Sequence, residues 1–448
     1  MESRHIKRGE TMPEIFKIQP IIEKFMTLTH GEMLAAFATE SGFVRRKPKK
    51  IDPKNFLIAF FIMVLQHGKS LSSMAMTLGI LKGIRVSKQA IDKRMKEPLL
   101  RYLESVLAHT IARKIKACCQ GFPPLFKRIL LHDSTTVRLP SHLAKMFPGS
   151  KNAQKDNIAL IKIQTEYDVL RERFYRFWLS PFTTNDQEAA TIMLESIQPG
   201  DLIIRDLGYF VLTALALIQQ KSAFFVTRLR HDIVLSDPGN SKRIKLLKTL
   251  RKYQKIDIPV IIGTENQLRV RLVALPVDPA VAAQRRRKLR SNRDRRLNPG
   301  REHLALLGWN IFILNVDADI LSAEEVLYFY GLRWRIETIF KAWKSNFNLT
   351  AFSPRASAVH VQAHMYAFLI FVTLFQTVIF SQTNRLILNQ QYKPLSLLKL
   401  SRCFREQFWA IVIYLSRPAA LYEQITYHCT YEKRNDRLNY HERLLKLC

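Results

Sequence analysis

The sequence predicts an α/β protein in which a strand-rich middle is flanked by helical regions. Residues 1–125 carry apolar patterns typical of helices, strand-like segments follow from about residue 127, and helical patterns return after about residue 322. The chain has 448 residues, more than the usual size of one domain. Its hydrophobic content of 47% and charged content of 24% are typical of packed globular proteins.

The charge balance predicts a polyanionic partner. The chain has 70 Lys and Arg residues against 37 Asp and Glu residues, a net charge of +33. Such an excess opposes compaction through self-repulsion unless a polyanion offsets it. Nucleic acid is the commonest such partner, and the alternative is a purely solubilising role for the charge.

Cysteine usage predicts a reducing compartment. The cysteines form no CxxC pair and have no histidines at zinc-finger spacing, and two neighbours in sequence do not easily bond to each other. We therefore expect buried thiols. The five are Cys118, Cys119, Cys403, Cys429 and Cys448.

No secretory or membrane-spanning segment is predicted. The N-terminus MESRHIKRGE is charged and lacks an apolar core. The most apolar run, residues 365–380, contains Gln376 and is too short to cross a bilayer comfortably, which favours a buried core helix. We therefore expect a soluble cytoplasmic protein without a membrane partner.

Residues 1–125 are expected to be helical and to bind DNA. LSSMAMTLGI can form a short helix, Gly79 and Gly83 supply turn points, and Ser87 can cap a second helix, KQAIDKRM. This order fits a helix-turn-helix, although any two packed helices look similar. The polar residues of the second helix are Lys88, Gln89, Lys93 and Arg94.

Residues 126–221 are expected to begin an α/β core. The first segment has an apolar run that ends at Asp133, and the next two alternate like strands of a meander, so that all three resemble antiparallel strands. A fourth segment reads as a short buried parallel strand, and VLTALALIQQ reads as a helix. This is the order expected of an RNase H-like core. The four strand segments are KRILLHDSTTVRL, NIALIKIQTEYDV, RERFYRFWLSP and DLIIRDLGYF.

Residues 222–316 are expected to form a β-rich insertion that interrupts this core. After it, residues 317–381 would supply core helices, and residues 382–448 a basic, irregular to helical C-terminal region. The four strands predicted in the insertion are SAFFVTRL, IDIPVIIG, QLRVRLVALPV and GWNIFILNV.

The insertion contains a dense basic segment, AAQRRRKLRSNRDRRLNPGREH. A run of this kind is often a flexible polyanion-binding arm. A solvated helix face is the alternative, and it is disfavoured because Asp294 is almost the only acid nearby. The basic residues are Arg285, Arg286, Arg287, Lys288, Arg290, Arg293, Arg295 and Arg296.

Two aspartates at predicted strand ends are candidate functional residues. Asp133 follows RILLH and Asp206 follows DLIIR, so both carboxylates could leave neighbouring strands at comparable positions. The alternative for each is a turn or capping role. Asp201 precedes its strand and follows a Pro-Gly pair, so we assign it to a turn.

A third carboxylate lies in YGLRWRIETIFKAWKSNF, residues 330–347. At 100° per residue, a single helix would place Glu337 on one stripe with three cations and a phenol, beside a separate apolar flank. The alternative is ordinary salt bridging at a spacing of four residues. The other members of the stripe are Tyr330, Arg333, Lys341 and Lys344.

Together, the three carboxylates could hold divalent cations. Mg²⁺ prefers oxygen ligands, and two such ions can activate a nucleophile and stabilise a leaving oxygen during phosphoryl transfer. Cations on the same stripe would bind neighbouring phosphates, and Tyr330 could hydrogen-bond or stack beside them.

These motifs resemble those of the insertion-sequence DDE transposases of the IS-four family. The spacing Tyr330-x2-Arg333-x3-Glu337-x6-Lys344 resembles the family's Y-R-E-K signature, DST at 133–135 its first aspartate motif, and DLGY at 206–209 its second. The resemblance covers roughly residues 60 to 381. The motifs occur in the family's order, and the gap before the glutamate accommodates the family's β-rich insertion.

The resemblance implies that Asp133, Asp206 and Glu337 are a metal-binding catalytic triad, and that Tyr330, Arg333 and Lys344 handle phosphates at a transposon end. It also implies an RNase H-like fold, Mg²⁺ or Mn²⁺, and a homodimer that joins two inverted-repeat ends of double-stranded DNA.

Some family members excise through a DNA hairpin, with a base flipped onto a tryptophan of the insertion. This sequence has no tryptophan within residues 211–308, and Trp309 lies near the insertion's exit. The flipped-base contact therefore stays unassigned.

The predicted function is metal-dependent cleavage at transposon ends followed by strand transfer into target DNA. The basic segment and the N-terminal helices would add DNA affinity that falls with salt. Two alternatives are a catalytically inert DNA-binding derivative and an RNase H-like nuclease without strand transfer.

Overall fold

A computed structural model describes most of the chain, and the fold below refers to that part. Predictions that fall on Cys118, Cys119, Cys448, Arg293, Arg295 and Arg296 lie outside it. The described residues are 31–46, 51–65, 70–113, 126–149, 158–265, 267–291, 299–350, 352–391, 393–413, 418–432 and 440–445.

The N-terminal part is helical, as predicted. Its most apolar helix, α2, is almost entirely buried, and the Phe61 ring packs against Phe371 of a later helix at 5.7 Å between ring centroids. The N-terminal helices therefore share one hydrophobic core with the rest of the chain. They are α1 (Gly31–Glu40), α2 (Pro53–Leu65), α3 (Leu71–Lys82), α4 (Lys88–Asp92) and α5 (Glu97–Ala112).

The predicted helix-turn-helix is only partly confirmed. Gly83 ends α3 in the left-handed conformation, with φ 63°, and the Ser87 side chain accepts a hydrogen bond from the Ala90 amide to cap α4. Gly79, however, lies inside α3 and not at a turn. The second helix is five residues long, shorter than the segment KQAIDKRM that the sequence predicts as a helix.

A nine-stranded mixed sheet forms the middle of the molecule, in the order β3-β2-β1-β4-β5-β9-β8-β7-β6. β1, β2 and β3 form the predicted antiparallel meander, and β4 and β5 run parallel to β1. The strands are β1 (Arg128–Leu139), β2 (Ala159–Asp168), β3 (Arg173–Pro181), β4 (Asp201–Arg205), β5 (Phe224–Arg228), β6 (Leu235–Ser236), β7 (Ile256–Ile262), β8 (Leu268–Pro276) and β9 (Trp309–Leu314).

The strands of residues 222–316 continue the sheet formed by the first four strands. All four predicted segments are strands, but they extend the same sheet, because β9 pairs with both β5 and β8. β5 itself pairs in parallel with β4 and so lies beside the first strands.

The basic segment is also different from the prediction in its described part. Residues up to 290 form a helix, α9 (Pro279–Arg290), capped by the Asp278 side chain, and not a flexible arm. The helical part of the alternative therefore holds for these residues, and polyanion binding by the segment stays a prediction. The other helices on this side of the sheet are α6 (Asp186–Ile192), α7 (Leu212–Gln220), α8 (Leu246–Tyr253) and α10 (Arg301–Leu306).

The opposite face of the sheet is covered by α11 (Ala323–Gly331), α12 (Trp334–Ser345) and α13 (Ala358–Leu374). α13 continues through a π-helical turn, Phe375–Phe380, into α14 (Ser381–Gln391). Residues 358–390 are long and apolar enough to cross a membrane by composition, but 94% of their most apolar window is buried inside the protein. The predicted core helix is therefore confirmed.

The C-terminal helices pack back onto the joint between α11 and α12. Arg443 approaches Gly331 so closely that a Cβ atom at this glycine would overlap the Arg443 guanidinium. Cys429 is a buried free thiol and Cys403 a partly buried one. The helices are α15 (Leu397–Glu406), α16 (Phe408–Ile413), α17 (Pro418–Cys429) and α18 (Tyr440–Leu445).

Candidate active site

Asp133 and Asp206 lie side by side because β1 and β4 are parallel neighbours. The register pairs His132 with Arg205, so the two aspartates are the next residues along each strand. Side chains alternate between the faces of a strand. On β1, Leu131 faces the core formed with α11–α13, so Asp133 two residues later faces the same side. Asp206 follows Ile204 in the same way, in an extended conformation.

The prediction that a strand ends at Asp133 is wrong, although Asp133 and Asp206 do lie next to each other on neighbouring strands. β1 continues past Asp133 to Leu139, paired with β2, while the pairing with β4 stops at His132. Asp133 therefore lies where the parallel partner leaves the strand and its carboxylate becomes accessible from one side.

Asp133 lies within β1 and not in a turn, whereas Asp206 opens a turn through its main-chain carbonyl, which accepts a hydrogen bond from the Tyr209 amide at 3.0 Å. Asp206 precedes a 3₁₀ turn, Leu207–Tyr209, but makes no side-chain capping hydrogen bond. Its side chain is 46% exposed, against 17% for Asp133. The rival, Asp201, is fully buried at the start of β4 and pairs with the Arg128 guanidinium, so its role is structural.

Glu337 reaches this edge of the sheet from α12. The stretch 330–347 is not one helix, because α11 ends at Gly331 and α12 begins at Trp334. Between them the amides of Leu332 and Arg333 bond to carbonyls three residues back. The side-chain directions predicted for one continuous helix therefore do not apply across this tighter turn. The apolar flank is nevertheless confirmed, since Leu332, Ile336, Ile339, Phe340, Trp343 and Phe347 are all buried.

Arg333, at the joint between the helices, contacts all three carboxylates. Its Nη2 lies 2.5 Å from Oε1 of Glu337, and its Nη1 lies 3.5 Å from Oδ2 of Asp133. Its Nε lies 3.8 Å from Oδ1 of Asp206. Only 12% of the Arg333 side chain is exposed. One guanidinium thus holds the three predicted acids around a common centre.

Burial and neighbouring charge set the protonation of Asp133. Burial raises the pKa of Asp133 to about 7, and the nearby carboxylates of Asp206 and Glu337 also raise it. The amide of Ser134, which donates a hydrogen bond of 2.8 Å to Oδ1, and the Arg333 guanidinium oppose this rise. A cation bound at this site would favour the charged form of Asp133.

The other predicted members of the stripe are divided between the core and the surface. Tyr330 is buried, with its ring 5.0 Å from Phe312 and 5.9 Å from the Arg333 guanidinium carbon, and burial raises its pKa. Lys341 and Lys344 are exposed on α12. Partial desolvation lowers the pKa of Lys344.

The three carboxylates are chemically suited to bind a divalent metal, but in this structure their oxygens do not meet at one point. Carboxylate oxygens are the ligands that Mg²⁺ prefers. Within the described residues, no three His, Cys, Asp or Glu side chains are close enough together to hold a metal ion as they stand. The Arg333 guanidinium occupies the space between the acids.

A polar layer beneath the aspartates was missed by sequence reasoning. Asp186, at the start of α6, accepts a hydrogen bond from Ser134 at 3.2 Å and pairs with Lys162 at 3.1 Å. Lys162 is itself buried and also donates to the Thr184 carbonyl at 3.0 Å. Ser134 follows Asp133, so this layer supports the strand segment that carries the aspartate. The only pattern in the sequence that indicates this polar layer is the polar residue at every second position of β2.

Behind the two aspartates, His132 and Arg205 link β1 to β4. Arg205 Nε donates to His132 Nδ1 at 3.0 Å, and His132 Nε2 lies 3.5 Å from Glu166. All three are buried, and burial lowers the pKa of His132 and raises that of Glu166. Within the described residues, the Nη1 and Nη2 atoms of Arg205 have no hydrogen-bond partner. Arg205 thus places positive charge directly behind the acidic site.

A second missed residue is Arg228, the last residue of β5. Its guanidinium carbon lies 5.3 Å from the centroid of the Tyr330 ring, and the side chain is exposed. Because β5 is the parallel neighbour of β4, Arg228 lies at the same sheet edge as Asp206. The sequence could have indicated Arg228, because it is a cation at the carboxyl end of a predicted strand.

The remaining predicted DNA-binding residues lie on other elements. Lys88 and Lys93 are exposed at the ends of α4, and Arg287 and Arg290 are exposed on α9. Within the described residues, none of them forms an ion pair with the three acids. The α9 residues that are turned toward the protein are Arg285, which donates to Asn310, and Arg286, which donates to the Leu304 carbonyl.

The family comparison covers the whole of this site. Residues 124–372, more than half of the chain, match the family described as "Transposase DDE domain". The match includes Asp133, Asp206, Arg333 and Glu337.

Several transposases are similar over most of their length. The transposase for insertion sequence element IS231D of Bacillus thuringiensis subsp. finitimus is 30% identical over 387 residues, which are 81% of this chain and 80% of that protein. The transposase for IS231F of Bacillus thuringiensis subsp. israelensis is 29% identical over 85% of this chain and 84% of its own. The transposase for IS1151 of Clostridium perfringens is 26% identical over 81% of this chain and 80% of its own.

Among solved structures, a piggyBac transposase synaptic complex with hairpin DNA is similar with a TM-score of 0.47 and 12% identity. The alignment covers 97% of this chain and 90% of that one.

Proposed function

The chain belongs to the DDE transposases of insertion sequences, and on that premise we propose that Asp133, Asp206 and Glu337 are its catalytic carboxylates. The protein is a DNA transposase. The observation that carries the assignment is that one guanidinium, that of Arg333, contacts all three acids. The three come from two parallel strands and one helix, which are far apart in sequence.

We propose that the catalytic core is RNase H-like. Support comes from the antiparallel meander β1–β3 followed by β4 and β5 parallel to β1. The domain division that we propose is a helical N-terminal region, 1–125, a core made of 126–221 and 317–381, an insertion, 222–316, and a C-terminal region, 382–448. The strands of the insertion would pair with the edge of the core sheet.

We propose membership of the IS-four group within the transposases, based on Tyr330, Arg333, Glu337 and Lys344. Arg333 and Glu337 are paired, and Lys344 is exposed two turns further along α12. Tyr330 packs between the guanidinium groups of Arg228 and Arg333. This arrangement supports a role for the signature in holding a DNA end beside the acids.

DDE transposases generally depend on divalent metal ions, and we propose that the three carboxylates here hold two ions of Mg²⁺ or Mn²⁺. When bound, the ions supply activation of water or of a 3′-hydroxyl and stabilisation of the leaving oxygen. The donor chemistry fits, but Arg333 must leave the space between the acids. A freed Arg333 would lie where it can bind a DNA phosphate, since guanidinium groups match phosphate oxygens in a bidentate geometry.

The chain's own residues would prepare the DNA for cleavage and strand transfer in a cut-and-paste reaction. Lys341, Lys344 and Arg333 would hold phosphates near the scissile bond, and the buried Tyr330 would fix the position of Arg333. Exposed cations on α9 and α4 would add affinity that does not depend on base sequence. They are Arg287, Arg290, Lys88 and Lys93.

We further propose that the transposase acts as a homodimer on two inverted-repeat ends and inserts them into target DNA, in association with the bacterial nucleoid. The net charge of +33 supports a large phosphate-rich partner.

Glu337→Gln tests the catalytic assignment. We expect the variant to retain binding to a duplex that carries the element's terminal repeat and to lose Mg²⁺-dependent cleavage of it. Glu423→Gln, a matched change at an exposed position of α17, should cleave like the natural protein. Undiminished cleavage by Glu337→Gln would remove this residue from the mechanism. If the natural protein binds the repeat but never cleaves it, it is an inert DNA-binding derivative.

A further inference from the structure

A cavity of about 550 Å³, lined by basic and apolar side chains, lies beside the candidate active site, between the end of β5 and the helices α9 and α10. Leu207, the residue after Asp206, forms part of its wall. Five basic side chains line it, and among the described residues no Asp or Glu does so. They are Arg228, His231, Arg285, Lys288 and His303.

Two of these side chains are stacked imidazoles. The rings of His231 and His303 lie 4.0 Å apart between centroids, with planes within 3° of parallel. Burial lowers the pKa of His303, and so does its neighbour His231. A proton on His303 therefore becomes more favourable when an anion occupies the cavity.

The arginines of the cavity are held close together without an acid between them. Arg285 donates to Oδ1 of Asn310 at 2.8 Å and to the Trp309 carbonyl at 3.4 Å. Burial lowers the pKa of Arg285, and the neighbouring charge of Arg228 lowers it further. An anion between these fixed cations would remove an electrostatic penalty that the protein retains without it.

Two acids, Asp232 and Glu302, are sequence neighbours of the cavity's histidines, and neither of them lines the cavity. Asp232 follows His231, but both of its carboxylate oxygens are engaged by Arg230, at 2.6 and 2.7 Å. Arg286, the other cation of α9 that faces the protein, donates to the Leu304 carbonyl and adds positive charge behind α10.

We infer that this cavity binds a phosphate group of the DNA backbone, and that the stacked pair His231 and His303 makes this binding depend on protonation. The permanent cations would be Arg228, Arg285 and Lys288. The inference rests on the proposed function in one respect. Leu207 places the cavity next to Asp206, where the DNA strand would be cleaved, so that the occupant is a phosphate of that strand.

The experiment measures binding of the full chain to a short duplex of arbitrary sequence, without divalent metal, from pH about 8 to about 6. A phosphate contact does not depend on base sequence. Each proton taken up on binding changes affinity by up to about tenfold per pH unit. We expect the natural protein to bind several-fold more tightly at the lower pH, and the double variant His231→Asn with His303→Asn to lose part of this gain, because protonation of Asp133, whose pKa is about 7, contributes the rest.

A matched control is His428→Asn, at an exposed histidine of α17 outside the cavity. It should keep the full pH dependence. A double variant with the same pH dependence as the natural protein would overturn the inference. Cleavage that depends on Glu337 would stand in that case, so the two failures are distinguishable.

Nuclear magnetic resonance of the histidine rings identifies the source of the phosphate. Addition of DNA should raise the pKa of His303, as expected for an imidazolium beside a phosphate. If inorganic phosphate raises this pKa at constant ionic strength and DNA does not, the cavity takes a free phosphate and the assignment to the DNA backbone is wrong.

Discussion

Arg333 and Glu337 form an ion pair of 2.5 Å between Nη2 and Oε1, and the same guanidinium extends to Asp133 and Asp206 at 3.5 and 3.8 Å. The pair has the four-residue spacing of an ordinary helical salt bridge. It differs from an ordinary helical salt bridge because the same guanidinium also contacts two aspartates on neighbouring strands. It therefore balances three acids that come from separate parts of the chain.

Replacing Arg333 should strengthen the binding of divalent cations. Arg333→Gln removes a cation that competes for the same carboxylates, and a charge-assisted hydrogen bond contributes about 1.5–3 kcal/mol. We expect Mn²⁺ to bind roughly tenfold more tightly, measured by calorimetry without DNA. DNA-end cleavage should nevertheless fall, because a phosphate ligand is lost.

The control for this experiment is Lys341→Gln, which removes one exposed positive charge from the same helix. It should change Mn²⁺ affinity much less, because exposed charges are screened by solvent. Weaker Mn²⁺ binding by Arg333→Gln would show that Arg333 positions the carboxylates for the metal and does not compete with it.

Neutralising Asp186 should destabilise the fold. In Asp186→Asn, the buried ammonium of Lys162 loses its carboxylate partner and keeps the Thr184 carbonyl. Removing one partner of a buried pair costs about 3–5 kcal/mol, and the partial exposure of Asp186 places the expected loss near or below the lower end. Unfolding in urea measures it.

Adding Lys162→Met to Asp186→Asn should recover most of that stability, since no unpaired charge then remains. Asp232→Asn, which breaks an exposed pair with Arg230, should cost at most about 1 kcal/mol. A double variant no more stable than Asp186→Asn would mean that the carboxylate acts through Ser134 and not through Lys162.

His441 should make the stability of the protein depend on pH. Burial lowers the pKa of His441 to about 3, and the neighbouring Arg335 charge lowers it further. The unfolded chain, with a histidine pKa near its ordinary value of about 6.5, binds a proton more readily than the folded chain. The contribution of His441 is therefore complete above pH about 6.5 and is lost as the pH falls toward 3.

In His441→Gln this loss should disappear, so the free energy of unfolding should fall less steeply below pH about 6.5. A single group accounts for at most about 1.4 kcal/mol per pH unit. Urea unfolding at a series of pH values measures the slope. His428→Asn, at an exposed histidine, should leave the slope as it is, and an equal slope in His441→Gln would contradict the prediction.

Local features of the fold could be predicted from the sequence because they depend on neighbouring residues. Ser87 caps α4, Gly83 ends α3, and the alternating segments that become β1, β2, β3, β7, β8 and β9 form strands. The apolar run 365–380 is a core helix for the same reason. Capping and alternation of apolar residues act over a few residues and leave a direct pattern in the sequence.

Two features could not be predicted from local sequence patterns. They are the break between the helices at Leu332 and Arg333 and the helix of residues 279–290. The sequence around Arg333 is continuous in its helical pattern, so the tighter turn follows from how α11 and α12 must each pack. In α9, contacts of Arg285 with Asn310 and of Arg286 with Leu304 stabilise a helix that the charge density alone disfavours.

By itself, the sequence determined the chemical types at the site and their order: two aspartates after apolar segments, then a glutamate among cations. Only the tertiary structure decided that they meet. The parallel pairing of β1 with β4 brings Asp133 and Asp206 together across 73 residues of chain, and the joint between α11 and α12 directs Arg333 at both. Such contacts depend on closing long loops and on packing a shared core, which no local pattern records.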